Sequence, residues 1–375
     1  MFYRTIQAHA LIPSLALFAF LSIALGAHNA EAFPELIRHG YSNCVTCHAN
    51  PGGGGVLNAY GREISKEALS TWSGENEQEF AWGTIKTPEW LSATVMARSL
   101  SFIRDTRTTI DGRTLLMQLD AEASAQSEKW GFVAAAGIQN PRGGPTGNQS
   151  PLAARRLFGQ YRPTDTLAFR SGFFQPVYGL MPADHRIAIR SGLGWDQGNE
   201  TWNLEGAYIG EQWNVFATGI LGRPGQSDFE RGGALSVSHF FADRYKLGLN
   251  SYVGQATDST AMRAVFGPHA MLAFTSRLYW LGELDFQNQN STWGTYQYQK
   301  LGYEPVQGFH VFLAQDFQQP NSSDPITATW AWGPGLQWFP RPHFEGQLFL
   351  WQNRYPSALQ DLNQTTVYAM LNFYL

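Results

Sequence analysis

The run Leu115-Leu116-Met117-Gln118-Leu119-Asp120-Ala121-Glu122-Ala123-Ser124 decides the fold. Leu115, Met117, Leu119, Ala121 and Ala123 fall on one face of an extended chain, and Gln118, Asp120, Glu122 and Ser124 on the other. Alternation at period two marks a β-strand with one apolar and one polar face. The stretch from Leu278 to Gln287 repeats it, with Leu278, Trp280, Leu284 and Phe286 opposed to Glu283, Asp285 and Gln287. A secreted β-sandwich also alternates. Aromatic residues set opposite carboxylates in nearly every strand, however, belong to a barrel with lipid outside and water inside.

Sixteen such runs follow Trp90, at 91–105, 113–126, 130–139, 154–163, 166–175, 200–210, 213–221, 233–241, 244–254, 263–274, 277–288, 295–304, 307–318, 327–339, 343–353 and 364–375. Short connections at Ser127–Lys129, Thr164–Asp165, Glu211–Gln212, Ala242–Asp243, Thr275–Ser276 and Pro340–Pro342 alternate with longer polar loops, among them 140–153, 176–199, 222–232 and 319–326. Barrels of this kind keep short turns on the periplasmic side and long loops outside, so an even strand count leaves both chain ends periplasmic. The final run, from Val367 to Leu375, is similar to the terminal strand of outer-membrane proteins, with Leu375 in place of their usual last aromatic. The loop from Tyr178 to Arg190 is expected to fold into the lumen as a constriction, with Asp184, His185 and Arg186 as hydrogen-bonding loop residues. Arg156, Arg162 and Arg170 join the carboxylates on the lumen face.

Composition agrees. The 375 residues include 25 Phe, 15 Tyr, 13 Trp and 38 Gly, and only 15% are charged. A net charge of −4 with no basic run gives no reason to expect nucleic acid. Past the N-terminus no apolar stretch is long enough to cross a bilayer as a helix. No nucleophile–base pair, phosphate loop or paired-carboxylate motif stands out, which argues against a hydrolase. At the N-terminus, Arg4, an apolar run from about Leu11 to Gly26, and Ala30-Glu31-Ala32 read as a secretory signal with its cleavage site. An uncleaved anchor is the alternative, but the run is short. Three parts are therefore expected: a signal at 1–32, a small segment at 33–87, and an outer-membrane barrel at 88–375 in contact with lipid.

The small segment holds the chain's two cysteines, in Asn43-Cys44-Val45-Thr46-Cys47-His48. C-x-x-C-H is the pattern of covalent c-type haem attachment. Two thiols three residues apart reach neighbouring vinyl groups as thioethers, and the adjoining His48 becomes the proximal iron ligand. Other readings remain: a redox disulfide, although no βαβ setting surrounds it, or a zinc site of Cys44, Cys47, His39 and His48, although zinc-finger ligand pairs usually sit farther apart. His39 is the candidate distal iron ligand. Pro51 and Gly52–Gly55 make a loop, and a helical stretch opens at Leu57. Leu36, Ile37, Val56, Leu57, Ile64, Leu69 and Trp72 are too few to cover a haem. Residues 33–70 are thus expected inside the barrel mouth, against its inner wall.

The stretch from Phe33 to Arg62, with Cys44-Val45-Thr46-Cys47-His48, Pro51, Leu57-Asn58 and Gly61-Arg62, joined to a signal and a barrel, resembles the fused outer-membrane monohaem cytochrome–porins best known from iron-oxidising bacteria. The Gly52–Gly55 run and the surroundings of His39 differ from the iron-oxidising members. The resemblance implies an all-β transmembrane antiparallel barrel of about sixteen strands with a small, mostly helical haem segment. It also implies one haem c held by Cys44, Cys47 and His48. Electrons would pass between a small redox-active solute, Fe(II) among the candidates, and a periplasmic electron carrier. The alternative is a solute-conducting porin whose haem segment is a periplasmic plug or docking module.

Overall fold

The computed structural model describes residues 34–138 and 152–375. The expected signal at 1–32 and most of the expected loop 140–153 lie outside these residues. Sixteen strands close into one antiparallel barrel in which each strand pairs with its sequence neighbours and the first pairs with the last. They are β1 (Leu91–Thr106), β2 (Ile110–Gln126), β3 (Trp130–Ile138), β4 (Leu152–Tyr161), β5 (Leu167–Phe174), β6 (Thr201–Ile209), β7 (Trp213–Gly222), β8 (Glu230–Phe241), β9 (Tyr245–Ala256), β10 (Met262–Ala273), β11 (Leu278–Gln289), β12 (Thr292–Val306), β13 (Phe309–Gln319), β14 (Thr329–Trp338), β15 (Phe344–Arg354) and β16 (Gln364–Tyr374). Closure leaves no unpaired edge, so the backbone can meet lipid with its polar groups satisfied.

The alternation has the expected sense. Gln118, Asp120, Glu122 and Ser124 are buried toward the lumen, while Ala121 and Ala123 face out. One phase slip corrects the sequence reading. The β1–β2 register passes from Arg98↔Gln118 to Ser99↔Leu116, so Met117 is an unpaired bulge residue. Beyond a bulge the faces exchange. Leu116 is therefore the exposed residue, and Leu115 pairs with Leu100, which packs on the lumen core.

The exterior carries aliphatic residues at mid-height, such as Leu249 and Leu371, each 66% exposed. Trp130, Trp213 and Trp338 stand out near one end, and Trp202, Trp293 and Trp332 near the other. An apolar band between two aromatic girdles is the surface a bilayer requires of a barrel. At the end where β1 begins and β16 finishes, the connections are short, from two residues at 307–308 to five at 162–166 and 339–343. The opposite end holds the long loop 175–200 and others of mixed length. Its β11–β12 connection is only Asn290-Ser291, both at positive φ, a tight hairpin where the sequence suggested a longer loop.

The lumen has two unlike sides. On β2–β6 it is largely polar, with Asp120, Glu122, Arg155, Arg170, Asn203 and Glu205 buried there beside a small apolar cluster of Val133, Phe158 and Phe174 with Ala49 and Val56. On β10–β16 it holds an apolar core inside the barrel, where Tyr279, Leu281, Tyr298, Phe312 and Phe349 from the wall meet Ile37 and Ile187, Ile189, Leu193 and Trp195. The last four belong to loop 175–200, which folds inward as expected. Tyr178 donates to Asp285 at 2.9 Å, and the Leu180 and Ala188 amides donate to Glu283 and Asp316 at 2.6 and 2.8 Å.

Two outcomes are expected. Leu249→Arg puts a charge at mid-band and lowers barrel stability by about 2–4 kcal/mol, measured by folding titration in lipid vesicles. Arg38→Ala strands the buried Glu304 carboxylate, its partner at 3.0 Å, and costs about 3–5 kcal/mol of local stability. The check is hydrogen exchange, with protection lost at residues 34–39 while strand protection persists.

Candidate functional site

The N-terminal segment lies inside the barrel, at the end with the short turns. Its first element is a 3₁₀ turn, Pro34–His39, packed on β10 and β11. Two buried ion pairs fix it to β12: Lys300 to Glu35 at 2.6 Å and Arg38 to Glu304 at 3.0 Å. The chain then crosses toward β9, where Lys246 Nζ donates to the Ser42 carbonyl at 2.8 Å.

Cys44–Thr46 forms a single turn, closed by the His48 and Cys47 amides on the Cys44 carbonyl at 2.9 and 3.2 Å. After it the chain doubles back as a small hairpin, with His48 opposite Leu57 and the Ala49 amide donating to Val56 at 3.1 Å. The hairpin tip needs glycine: Gly53, Gly54 and Gly55 lie at φ +76°, +69° and +73°, a left-handed run that side chains rarely adopt. The tip abuts the polar wall. Arg170 donates to Asn50 Oδ1 at 2.9 Å, Val56 N donates to Glu122 at 3.3 Å, and Arg156 pairs with Glu122 beside Gly55.

A short helix, α1 (Ala59–Ile64), closes over the motif. Asn58 caps it by accepting from Gly61 N at 2.8 Å, and its amide nitrogen donates back to Thr46 O at 2.9 Å. Gly61 touches the motif backbone itself. A Cβ there would stand 2.9 Å from Cys47 Cα and collide with the Cys47 carbonyl. Residues 71–72 then pair with Phe339 and Pro340 at the barrel rim, and Glu77 meets Arg341 at 2.8 Å before the chain enters β1.

Cys44, Cys47 and His48 border one lumen cavity of about 390 Å³, within the roughly 300–1,000 Å³ usual for cofactor and small-molecule sites. The two cysteines are not joined by a disulfide. His48 Nδ1 is enclosed without a hydrogen-bond partner among the described residues. Burial, with the Arg156 cation nearby, lowers the His48 pKa to about 4, so the ring is neutral at pH 7 and keeps a lone pair for a metal. Burial holds the Cys44 thiol above its ordinary pKa. Two thiols and a neutral imidazole opening onto one cavity fit a covalent haem c. Among the described residues, Cys44, Cys47, His39 and His48 do not gather as a metal cluster, so the zinc arrangement is not formed.

His39, the candidate distal ligand, is not among the residues that border this cavity. The Arg38 and Glu35 anchors fix the turn it ends, and it lies near Arg38 and His310. Residues far away in sequence border the cavity instead: Met96 and Arg98 from β1, Lys246 from β9, and Met181, His185 and Arg190 from loop 175–200. The apolar Ile187-Ala188-Ile189 within a polar loop was the available sign that Arg190 turns inward. His185 bonds Asp196 at 2.6 Å and Arg98 at 2.9 Å, and Asp184 accepts from Tyr368 at 3.3 Å, so these are hydrogen-bonding loop residues as expected.

No protein-family model matches the sequence, and no curated protein matches it. Solved structures do share the fold. OprB of Pseudomonas putida is 10% identical with a TM-score of 0.61, covering 82% of this chain and 99% of its own. An anion-selective porin from Comamonas acidovorans is 11% identical with a TM-score of 0.58, covering 76% and 99%. OmpT of Vibrio cholerae is 10% identical with a TM-score of 0.56, covering 78% and 100%. The chain thus has the fold of outer-membrane porin barrels. The share matched is about the size of the β1–β16 barrel, which makes up about three quarters of the chain.

Gly61→Ala tests the seat of the motif. Its added Cβ must displace the Cys47 backbone, an overpacking cost of about 1–3 kcal/mol. The expected outcome is a barrel of unchanged gel mobility whose residues 44–64 become open to limited proteolysis.

Proposed function

We propose that this chain is an outer-membrane channel of porin type whose lumen holds its own haem-bearing segment, so that small solutes entering the barrel meet a one-electron centre. The observation that carries this reading is the common lumen cavity bordered by Cys44, Cys47 and His48. The barrel fold, the apolar band and the fold-sharing porins support the channel and its outer-membrane location. The short-turn end, where both the segment and β16 finish, is the periplasmic one by the usual arrangement of such barrels.

When bound, haem c supplies reversible one-electron chemistry at its iron. The chain's own residues do the holding. Cys44 and Cys47 give the thioethers, and His48 is the iron ligand. The glycine hairpin and its clamps at Asn50 and Val56 keep the His48 ring against the polar wall. Lys300 and Glu304 fix the segment's depth, and the lumen limits access to solutes that enter it. Electron exchange falls steeply with distance, so a small partner admitted to the lumen, Fe(II) among them, can reach a centre that a bulky one cannot. A periplasmic carrier would meet the segment at the short-turn rim.

A second reading is favoured by the fold shared with the anion-selective porin of Comamonas acidovorans: a solute-conducting porin in which the segment is only a plug. Haem content and exchange separate the two. The proposal expects haem to stay with the denatured protein through acid–acetone extraction, and to be lost from Cys44→Ala with Cys47→Ala. Purified protein in vesicles should pass ions, and its haem should be reduced reversibly by small couples added outside. Haem that is retained but inert to every small couple would favour the plug. A wild type without haem removes the cofactor and leaves the channel.

A further inference from the structure

Arg190 sits in the turn Ala188–Gly192 of the inner loop, is 9% exposed, and borders the cavity shared with Cys44, Cys47 and His48. Its Nη2 makes one long hydrogen bond, 3.4 Å to Gln175 Oε1. Its Nε and Nη1 have no hydrogen-bond partner among the described residues. The acids whose charge it feels are Asp196, Glu283 and Glu200, but each is engaged elsewhere. Asp196 accepts from His185, Glu283 from the Leu180 amide, and Glu200 from the Gly198 amide. Other cations of the cavity wall have partners: Arg155 has Asp120, Arg156 has Glu122, and Arg98 has Asn372. A buried guanidinium with no carboxylate in direct contact is unfavourable, and its Nε and Nη1 donors call for an acceptor that the described residues do not provide.

We propose that Arg190 binds a carboxylate in this cavity. Arginine donors favour carboxylates because each N–H bond to an ionised oxygen is charge-assisted. Two sources share that chemistry. One is a propionate of the haem held at Cys44, Cys47 and His48, and in this form the inference rests on the haem reading above. The other is a free carboxylate solute in the channel, which does not depend on haem.

Arg190→Gln removes the charge, and Arg190→Lys keeps it; barrel folding is followed by gel mobility before and after heating. In the haem-loaded protein, a propionate partner predicts a lower haem midpoint potential in Arg190→Gln and recovery in Arg190→Lys, with acetate permeation unchanged. In planar bilayers, a solute partner predicts a several-fold fall in acetate permeability relative to potassium in Arg190→Gln, with the midpoint unchanged. The Cys44→Ala, Cys47→Ala barrel serves when Arg190→Gln does not fold. Acetate at constant ionic strength should then raise its unfolding temperature more than chloride does. No change in midpoint and permeability, or no acetate effect on that barrel, overturns the inference. Absence of haem from the wild type removes the haem reading alone and leaves the acetate measurements to decide the site.

Discussion

Two ion pairs inside the barrel set the position of everything within it. Glu35 and Arg38 project from one turn, and Lys300 and Glu304 from one strand face, so the pairs form together or not at all. Both are buried, and buried pairs add little net stability because desolvating the charges offsets their attraction. Their value is in exclusion. Sliding the segment along β12 would leave up to four buried charges unpartnered, so one depth is chosen sharply. Arg38 also lies over the Tyr279 ring at 5.9 Å, and Lys300 over the Phe312 ring at 4.3 Å, which ties the choice to the apolar core.

With that depth set, the motif falls where the two sides of the lumen meet. The turn at 34–39 rests on the apolar side, and the glycine hairpin reaches across to the polar wall at Glu122, Arg156 and Arg170. Loop 175–200 arrives from the other end and leaves a cavity between itself and the motif. The site is thus made by the N-terminal segment and a loop more than a hundred residues away, each anchored on the barrel wall.

This arrangement explains what could be read from sequence. The strands were legible because lipid outside and polar lumen inside impose a period of two that few other folds sustain over sixteen runs. The Met117 bulge was not, because it is set by the partner strand at Arg98 and Ser99. Nor was the apolar side of the lumen visible: Tyr279 and Leu281 face inward among carboxylates, and only the inserted loop and Ile37 make sense of them. The motif was plain from spacing alone. Its surroundings were not, since Arg190 and Lys246 lie over a hundred residues away from it. His39 shows the opposite: although it is nine residues before His48, closeness in sequence does not bring it to the cavity border, because Arg38 fixes the direction of the turn.

The uneven core also has a mechanical consequence. A sheet backed by closely packed side chains resists bending, because interiors of crystal-like density compress little. On β2–β6 only the cluster of Val133, Phe158 and Phe174 with Ala49 and Val56 packs in this way, and the rest is backed by ion pairs and the cavity. Bending of the cylinder is therefore easier along β2–β6 than along β10–β16. The motif touches both, so any such bending reaches it through the hairpin tip, where three successive glycines carry no side chains to stiffen the backbone.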